Sequence, residues 1–179
     1  MFKQSLLEEV LGCALSSGGD FAELYGERTH NNTIQMVDGK IDKVCDNFLS
    51  GVGVRVFSGL RTVYACTTDL TREGLLACAR SAAQALAEIR EAGSVSLTRR
   101  DVRDIQPVKF NPTDPENKRR CEVLKAACFA AKEHDPVISQ VQGTFIGVDH
   151  AILVANSEGL LTEDRHVRTR LVVRAVASE

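Results

Sequence analysis

Residues 48–65, FLSGVGVRVFSGLRTVYA, decide how the rest of this chain is read. Val52, Val54 and Val56 alternate with Gly51, Gly53 and Arg55, the period of a strand that turns one face to a core. A second run, residues 61–66, follows Ser58-Gly59, a two-residue hairpin loop by composition. That loop predicts Phe57 opposite Leu60, Val54 opposite Val63, Val52 opposite Ala65, and Tyr64 across from Gly53, where an aromatic ring covers bare glycine backbone. One face is then Val52, Val54, Val63 and Ala65, and the other Gly51, Gly53, Arg55, Thr62 and Tyr64. A central hairpin of a globular sheet accounts for all of these residues. The glycines also leave room for another strand or a peptide to come close.

Elements on either side fit a sheet with helices on it. Leu7, Val10, Leu11 and Ala14 recur at helical spacing over residues 3–17, and Gly18-Gly19 supplies a stop. Residues 20–29 read as a strand. Residues 33–37 and 40–44 flank Asp38-Gly39, a strong type I′ loop signal with Met36 facing Ile41. Thr71 is set to cap a helix whose stripe is Leu75, Leu76, Ala79, Ala82, Ala83 and Leu86, with Gly93 beyond its end.

Residues 94–111 have no sustained period and read as a connector. Asp114-Pro115-Glu116 then predicts a helix start, Cys121, Leu124, Ala127, Cys128 and Ala131 its apolar stripe, and Pro136 its limit. Residues 137–148, 151–155 and 160–176 read as strands, the last two joined by an Asn156–Gly159 turn. The expected fold is α+β, a mainly antiparallel sheet of hairpins with helices packed on it, helix before strands in both halves. The expected division is 1–104, carrying the central hairpin 49–66, and 105–179, a truncated second segment.

Composition narrows the function. At 179 residues and 44% hydrophobic the chain can bury a sizeable core, and with no tryptophan and 5% aromatics that core is aliphatic. A formal charge of −2 gives no bias toward polyanions, which disfavours a stand-alone nucleic-acid protein. Glu8 and Glu9 interrupt the amino-terminal leucines before a signal core can form, and no apolar run approaches a membrane span, so the expected location is cytoplasmic. The six cysteines are scattered with no C-x-x-C and are expected to be reduced, mostly buried small hydrophobes.

No motif for chemistry stands out. His30, His134, His150 and His166 are too far apart in sequence for local zinc pairs, no nucleophile elbow or P-loop occurs, and Gly51-Val52-Gly53 leads into a strand rather than a helix. No catalytic and no metal residue is assigned. Candidate contacts for a substrate or partner are Gly51, Gly53, Arg55 and Tyr64 on the hairpin, and Arg168 and Arg170 in a basic stripe that also holds His166 and Arg174. That stripe suits either a solvated sheet face or an acidic peptide or partner.

Taken in order, GGDFAELYGER (18–28), VDGKID (37–42), SGVGVRVFSGLRTVYA (50–65) and TTDLTREGLLACARSAA (67–83) resemble the amino-terminal region of the TldD/PmbA family, on its TldD side. The helix at 115–133, VISQVQGTF (137–145) and ILVANSEGLLTEDRHVRTRLVV (152–173) resemble the next part of the same family. The resemblance implies a cytosolic zinc metallopeptidase, once called modulator of DNA gyrase, that cuts unfolded or small peptides as an assembly of TldD-like and PmbA-like subunits. It implies that the zinc ligands lie in a carboxy-terminal domain, so none is carried over and no cofactor is expected in this chain. It leaves two roles: the scaffold, dimerisation and substrate-chamber portion of such a peptidase, or a non-catalytic PmbA-like partner.

Overall fold

Helical and strand periods of the sequence become elements in the expected order. The computed structural model describes residues 1–86, 94–105, 107–113 and 117–178. Helix α1 (Gln4–Ala14) runs into a 3-10 turn at Leu15–Ser17, and β1 (Phe21–Val37), β2 (Lys40–Ser58) and β3 (Arg61–Thr67) follow. Then come α2 (Arg72–Leu86), β4 (Thr98–Arg99), α3 (Asn117–Lys132), β5 (Ile138–Asn156) and β6 (Leu160–Ala177). The strands form one six-stranded sheet in the order β3-β2-β1-β5-β6-β4. The fold is α+β with a mixed, mostly antiparallel sheet and three helices packed on it, β4 pairing parallel to β6.

By compactness the chain forms two units. One unit is Met1–Arg28, Leu49–Ile105 and Ala151–Arg165; the other is Thr29–Phe48, Gln106–His150 and His166–Glu179. Strands β1, β2, β5 and β6 each give a stretch to both, which is why the units interleave along the sequence.

In the first unit α1 and α2 bury their stripes. Leu7, Val10, Leu11, Leu75, Ala79 and Ala82 are sealed with Ala22, Leu24, Val52, Val54 and Val56 of the strands. The stop at Gly18 holds, with φ +93, a left-handed conformation that costs glycine little. Thr71 caps α2 as expected, its Oγ1 accepting the Gly74 N–H at 3.1 Å. Asp69 in turn accepts both the Thr71 N–H and the Thr71 hydroxyl.

Expected strand breaks close up. The separate runs 20–29 and 33–37 are the single β1, the runs 40–44 and 48–58 the single β2, and 137–148 and 151–155 the single β5. The turn-forming residue Asn32 stays in the ladder, fully buried, with its Nδ2 donating to Asn117 Oδ1 at 3.4 Å.

The central hairpin differs from its expected register by two residues. Ser58 faces Arg61, Val56 faces Val63, Arg55 faces Tyr64 and Val54 faces Ala65, so the loop is Gly59-Leu60 rather than Ser58-Gly59. Gly59 takes φ +56 at the first loop position, where type II′ turns want glycine. Asp20 fixes this choice, its carboxylate accepting the Gly59 N–H at 2.6 Å while its own N–H donates to the Phe57 carbonyl at 2.7 Å. A shift of two leaves every side chain on its expected face.

The expected connector holds β4, two residues whose pairing with Leu160 and Leu161 is too short to leave a period in the sequence. Leu97, just before it, is buried in the first core. The helix start at 114–116 and the stop at Gly93 lie outside the described residues.

The second unit has a smaller core. Leu124 and Cys128 of α3 meet Ile34 and Met36 of β1 and Val141 and Phe145 of β5. Its hairpin turns on Asp38 (φ 45) and Gly39 (φ 78), the type I′ pair the sequence announces.

Hydrogen bonds hold several exposed carboxylates of the first unit below their usual range. Gln4 and then the Leu97 N–H do so for Glu8, and the Thr71 hydroxyl and then its N–H for Asp69. A depressed folded pKa contributes stability above the unfolded value, near 4, that is lost as pH falls through the folded value. Urea unfolding should therefore give a lower stability at pH 3 than at pH 7, and Glu8→Gln should shrink that difference. An unchanged difference in Glu8→Gln would remove Glu8 as a contributor.

Candidate functional site

On β1 the even positions Ala22 and Leu24 are sealed in the core, so Phe21, Glu23, Tyr25 and Glu27 turn to the opposite, open face. That face continues through Gly51, Gly53 and Arg55 of β2 and Tyr64 and Cys66 of β3. At its loop end the Phe21 and Phe57 rings meet tilted, with centroids 5.8 Å apart, and Arg55 lies over the Phe57 ring at 5.2 Å. Glu23 accepts two bonds from the Arg55 guanidinium, one of them from Nε at 2.6 Å.

Beyond this paired end the face opens into a groove of about 590 Å³. Gly51 and Gly53 are part of its floor, Tyr25 and Tyr64 bring aromatic rings, and Glu27 and Cys66 bring a carboxylate and a thiol. Tyr64 lies over Gly53: a Cβ there would meet its Cζ at 2.8 Å. The aromatic cover expected of Tyr64 is therefore present, reached diagonally because Tyr64 faces Arg55 in the ladder. Gly51 is open to the groove except for the Thr67 carbonyl, 3.3 Å from where its Cβ would stand. Burial raises the Tyr25 hydroxyl pKa, and the neighbouring Glu27 carboxylate raises it further.

Three of the residues singled out from the sequence, Gly51, Gly53 and Tyr64, come together in this groove. Arg55 shares the face but is held by Glu23 and does not line the groove. Arg168 and Arg170 belong to the other unit, exposed on β6. Tyr25 and Glu27 were not among the residues expected from sequence. The signal was available: alternation within FAELYGE puts both on the face opposite Ala22 and Leu24.

All six cysteines are free, and their burial is uneven. Cys78 and Cys128 are buried and Cys13 half-buried, and desolvation is the leading reason their thiol pKa values rise. Cys66 departs from the expected burial and is exposed, because it lies on the open face of β3. A thiol reagent at neutral pH should modify Cys66 first and leave Cys78 and Cys128 intact until the chain is denatured; early loss of either buried thiol would contradict this packing.

The histidines do not assemble a metal site. His30 is bonded to Asp46 and stacked on Phe48 at 4.0 Å. His150 and His166 have ring centroids 6.4 Å apart and tilted. Among the described residues no three His, Cys, Asp or Glu side chains are grouped to hold a metal ion. The described residues therefore offer no donor set for a catalytic zinc. Among the described residues no helix is long and apolar enough to cross a membrane.

Known proteins with this arrangement are consistent in kind. Residues 22–86 match the family described as PmbA/TldA metallopeptidase domain 1, and residues 110–179 match the PmbA/TldA metallopeptidase central domain. A metalloprotease TldD homolog of Haemophilus influenzae is 24% identical over 165 residues, covering 89% of this chain and 34% of that protein. A metalloprotease of Methanothermobacter thermautotrophicus is 26% identical over 165 residues, covering 89% of this chain and 35% of that protein. The chain thus spans about a third of the length of these relatives.

Among solved structures, a protein of Bacteroides thetaiotaomicron described as a modulator of DNA gyrase superposes with a TM-score of 0.78 at 15% identity, over 97% of this chain and 41% of that one. TldE from Thermococcus kodakarensis superposes with a TM-score of 0.68 at 15% identity, over 97% and 40%. These likenesses in structure bear on the fold. With first-domain and central-domain matches in the family's own order, and relatives named metalloprotease, the chain belongs to the PmbA/TldD metallopeptidase family.

Proposed function

We propose that this chain is the scaffold, dimerisation and substrate-chamber portion of a TldD-like metallopeptidase that cleaves unfolded or small peptides in the cytoplasm. The match of both family domains, in order, to one chain that carries an open groove supports this reading. In it the zinc is held by a separate carboxy-terminal domain, and the bond is cut there. This chain's part is to receive an extended peptide along β2 and β3, where Gly51 exposes backbone and the two tyrosines flank it. On β6, Arg168 and Arg170 offer positive charge to an acidic surface of a PmbA-like subunit.

The test is to express the whole gene that encodes this chain, alone and with a PmbA-like subunit, and to measure zinc content and cleavage of an unfolded polypeptide. Zinc-dependent cleavage by the full product, and none by the 179 residues alone, is the expected result. A full product that binds no zinc, but is required for cleavage by a TldD-like subunit, would instead make it the non-catalytic partner. Stoichiometric zinc and cleavage in this chain alone would overturn the division of labour.

A further inference from the structure

Strand β6 carries a row of positive charge along an edge of the sheet. Val173 packs against the second core, so the even-numbered side chains of this stretch, Arg168, Arg170, Val172 and Arg174, turn to the opposite face. All three arginines are exposed, and no hydrogen bond or ion pair to a described residue engages them. Successive same-face positions of a strand lie about 6.7 Å apart, so the row is regular. The neighbouring strand does not neutralise it. Val141 and Phe145 of β5 turn into the second core, which leaves Gln140, Gln142, Thr144, Ile146 and Val148 on the arginines' face, and none of these is charged.

The backbone beside this row is open as well. β6 has β5 on one side, and on the other β4 pairs with it at Leu160 and Leu161. Among the described residues no strand pairs with the outer edge of β6 past that point. An unpaired edge is a template for another strand, and arginines along it make the edge selective. A basic strand is repelled and an apolar one covers the arginines without pairing them, whereas an acidic one gains an ion pair at each alternate position. The row has no phenylalanine, tyrosine or tryptophan on which bases would stack, which favours a peptide over single-stranded nucleic acid.

We propose that the outer edge of β6 takes up an extended acidic segment of another subunit, as an added strand whose alternate carboxylates meet Arg168, Arg170 and Arg174. The proposal rests on the reading above that β6 meets another subunit, and it adds the form and the charge of what is met. Main-chain hydrogen bonds hold the added strand, and the spacing of the arginines sets its register.

Fluorescein-labelled, end-blocked threonine peptides with glutamate, glutamine or lysine at alternate positions would be titrated into this chain and followed by anisotropy. The glutamate peptide should bind roughly tenfold more tightly than the glutamine peptide, the sum of three cross-strand ion pairs of ordinary strength, and the lysine peptide least. Methylating alternate backbone nitrogens of the glutamate peptide should abolish its binding. Arg170→Gln, at an exposed position, should weaken the glutamate peptide several-fold and leave the glutamine peptide and the melting temperature unchanged. Arg168→Glu with Arg170→Glu should turn the preference to the lysine peptide, and in the full product should break the complex with a PmbA-like subunit.

Equal binding of the glutamate and glutamine peptides would overturn the role of charge, and undiminished binding of the methylated peptide would overturn strand addition. Displacement by a single-stranded oligonucleotide of equal charge as readily as by the glutamate peptide would mark a general polyanion surface and overturn the proposal. So would a subunit complex that survives both charge reversals. If the unaltered full product forms no complex with a PmbA-like subunit, the subunit reading fails and this proposal with it.

Discussion

Replacing Leu124 by alanine should lower the stability of the second unit by about 2–5 kcal/mol, toward the upper end of that range. Leu124 is fully buried on α3 in a core of six buried residues among those described, so each contributes a large share of what holds the helix to the strands. The strand beneath it explains the upper end. Gly143 of β5 has no side chain, and Leu124 and Cys128 fill the space above it; a Cβ on Gly143 would meet Leu124 Cδ1 at 2.8 Å. Truncation therefore leaves a cavity over Gly143, a position where the strand has no side chain of its own to fill it. Gly143→Val should destabilise by about 1–3 kcal/mol for the opposite reason, since it overfills the same contact. Urea unfolding, with amide exchange followed at Ile34 and Val141, would measure both. A loss under about 1 kcal/mol in Leu124→Ala would mean that α3 is not anchored here.

Val54→Asp should cost more than about 4–5 kcal/mol and leave the first unit unfolded at ordinary temperature. Val54 is fully buried between Val52 and Val56 in a wholly apolar core, where a carboxylate finds no partner and must be neutralised or hydrated at the expense of packing. The whole stability of a domain is about 5–15 kcal/mol, so this one change consumes a large part of it. The control is its neighbour. Arg55→Asp breaks the exposed pair with Glu23 and sets two carboxylates side by side, yet should cost only about 1 kcal/mol because water screens that face. Far-ultraviolet circular dichroism and thermal melting of the two variants would separate them. Similar melting temperatures would show that the buried and open faces of β2 had been exchanged.

That contrast of faces is also the measure of what was legible in the residues. Alternation in GVGVRV and in FAELYGE is a property of successive side chains, and it assigned Val54 to the core and Gly53 to the open face before any partner strand was known. Asp38-Gly39 named its own turn because both positions take φ above zero, which few residue pairs tolerate. Thr71 named the start of α2 because its hydroxyl meets the N–H of Gly74, three residues on.

What escaped was whatever depends on distant chain. The hairpin loop settled on Gly59-Leu60 because Asp20, 39 residues earlier, binds the Gly59 N–H. The expected breaks in β1, β2 and β5 vanished because neighbouring strands of the sheet carry the ladder past them. The groove became visible when Tyr25 and Glu27 of β1 were brought beside Gly51, Gly53, Tyr64 and Cys66.

Residue type and spacing determined the class of fold, the elements, their faces and two of the turns, because each follows from backbone sterics and side-chain period over a few residues. Tertiary structure alone decided hairpin register, strand continuity, the interleaving of the two units and the lining of the groove. Those depend on contacts such as the Ala22 N–H donating to the Ser157 hydroxyl, 135 residues apart, whose free energy no local window contains.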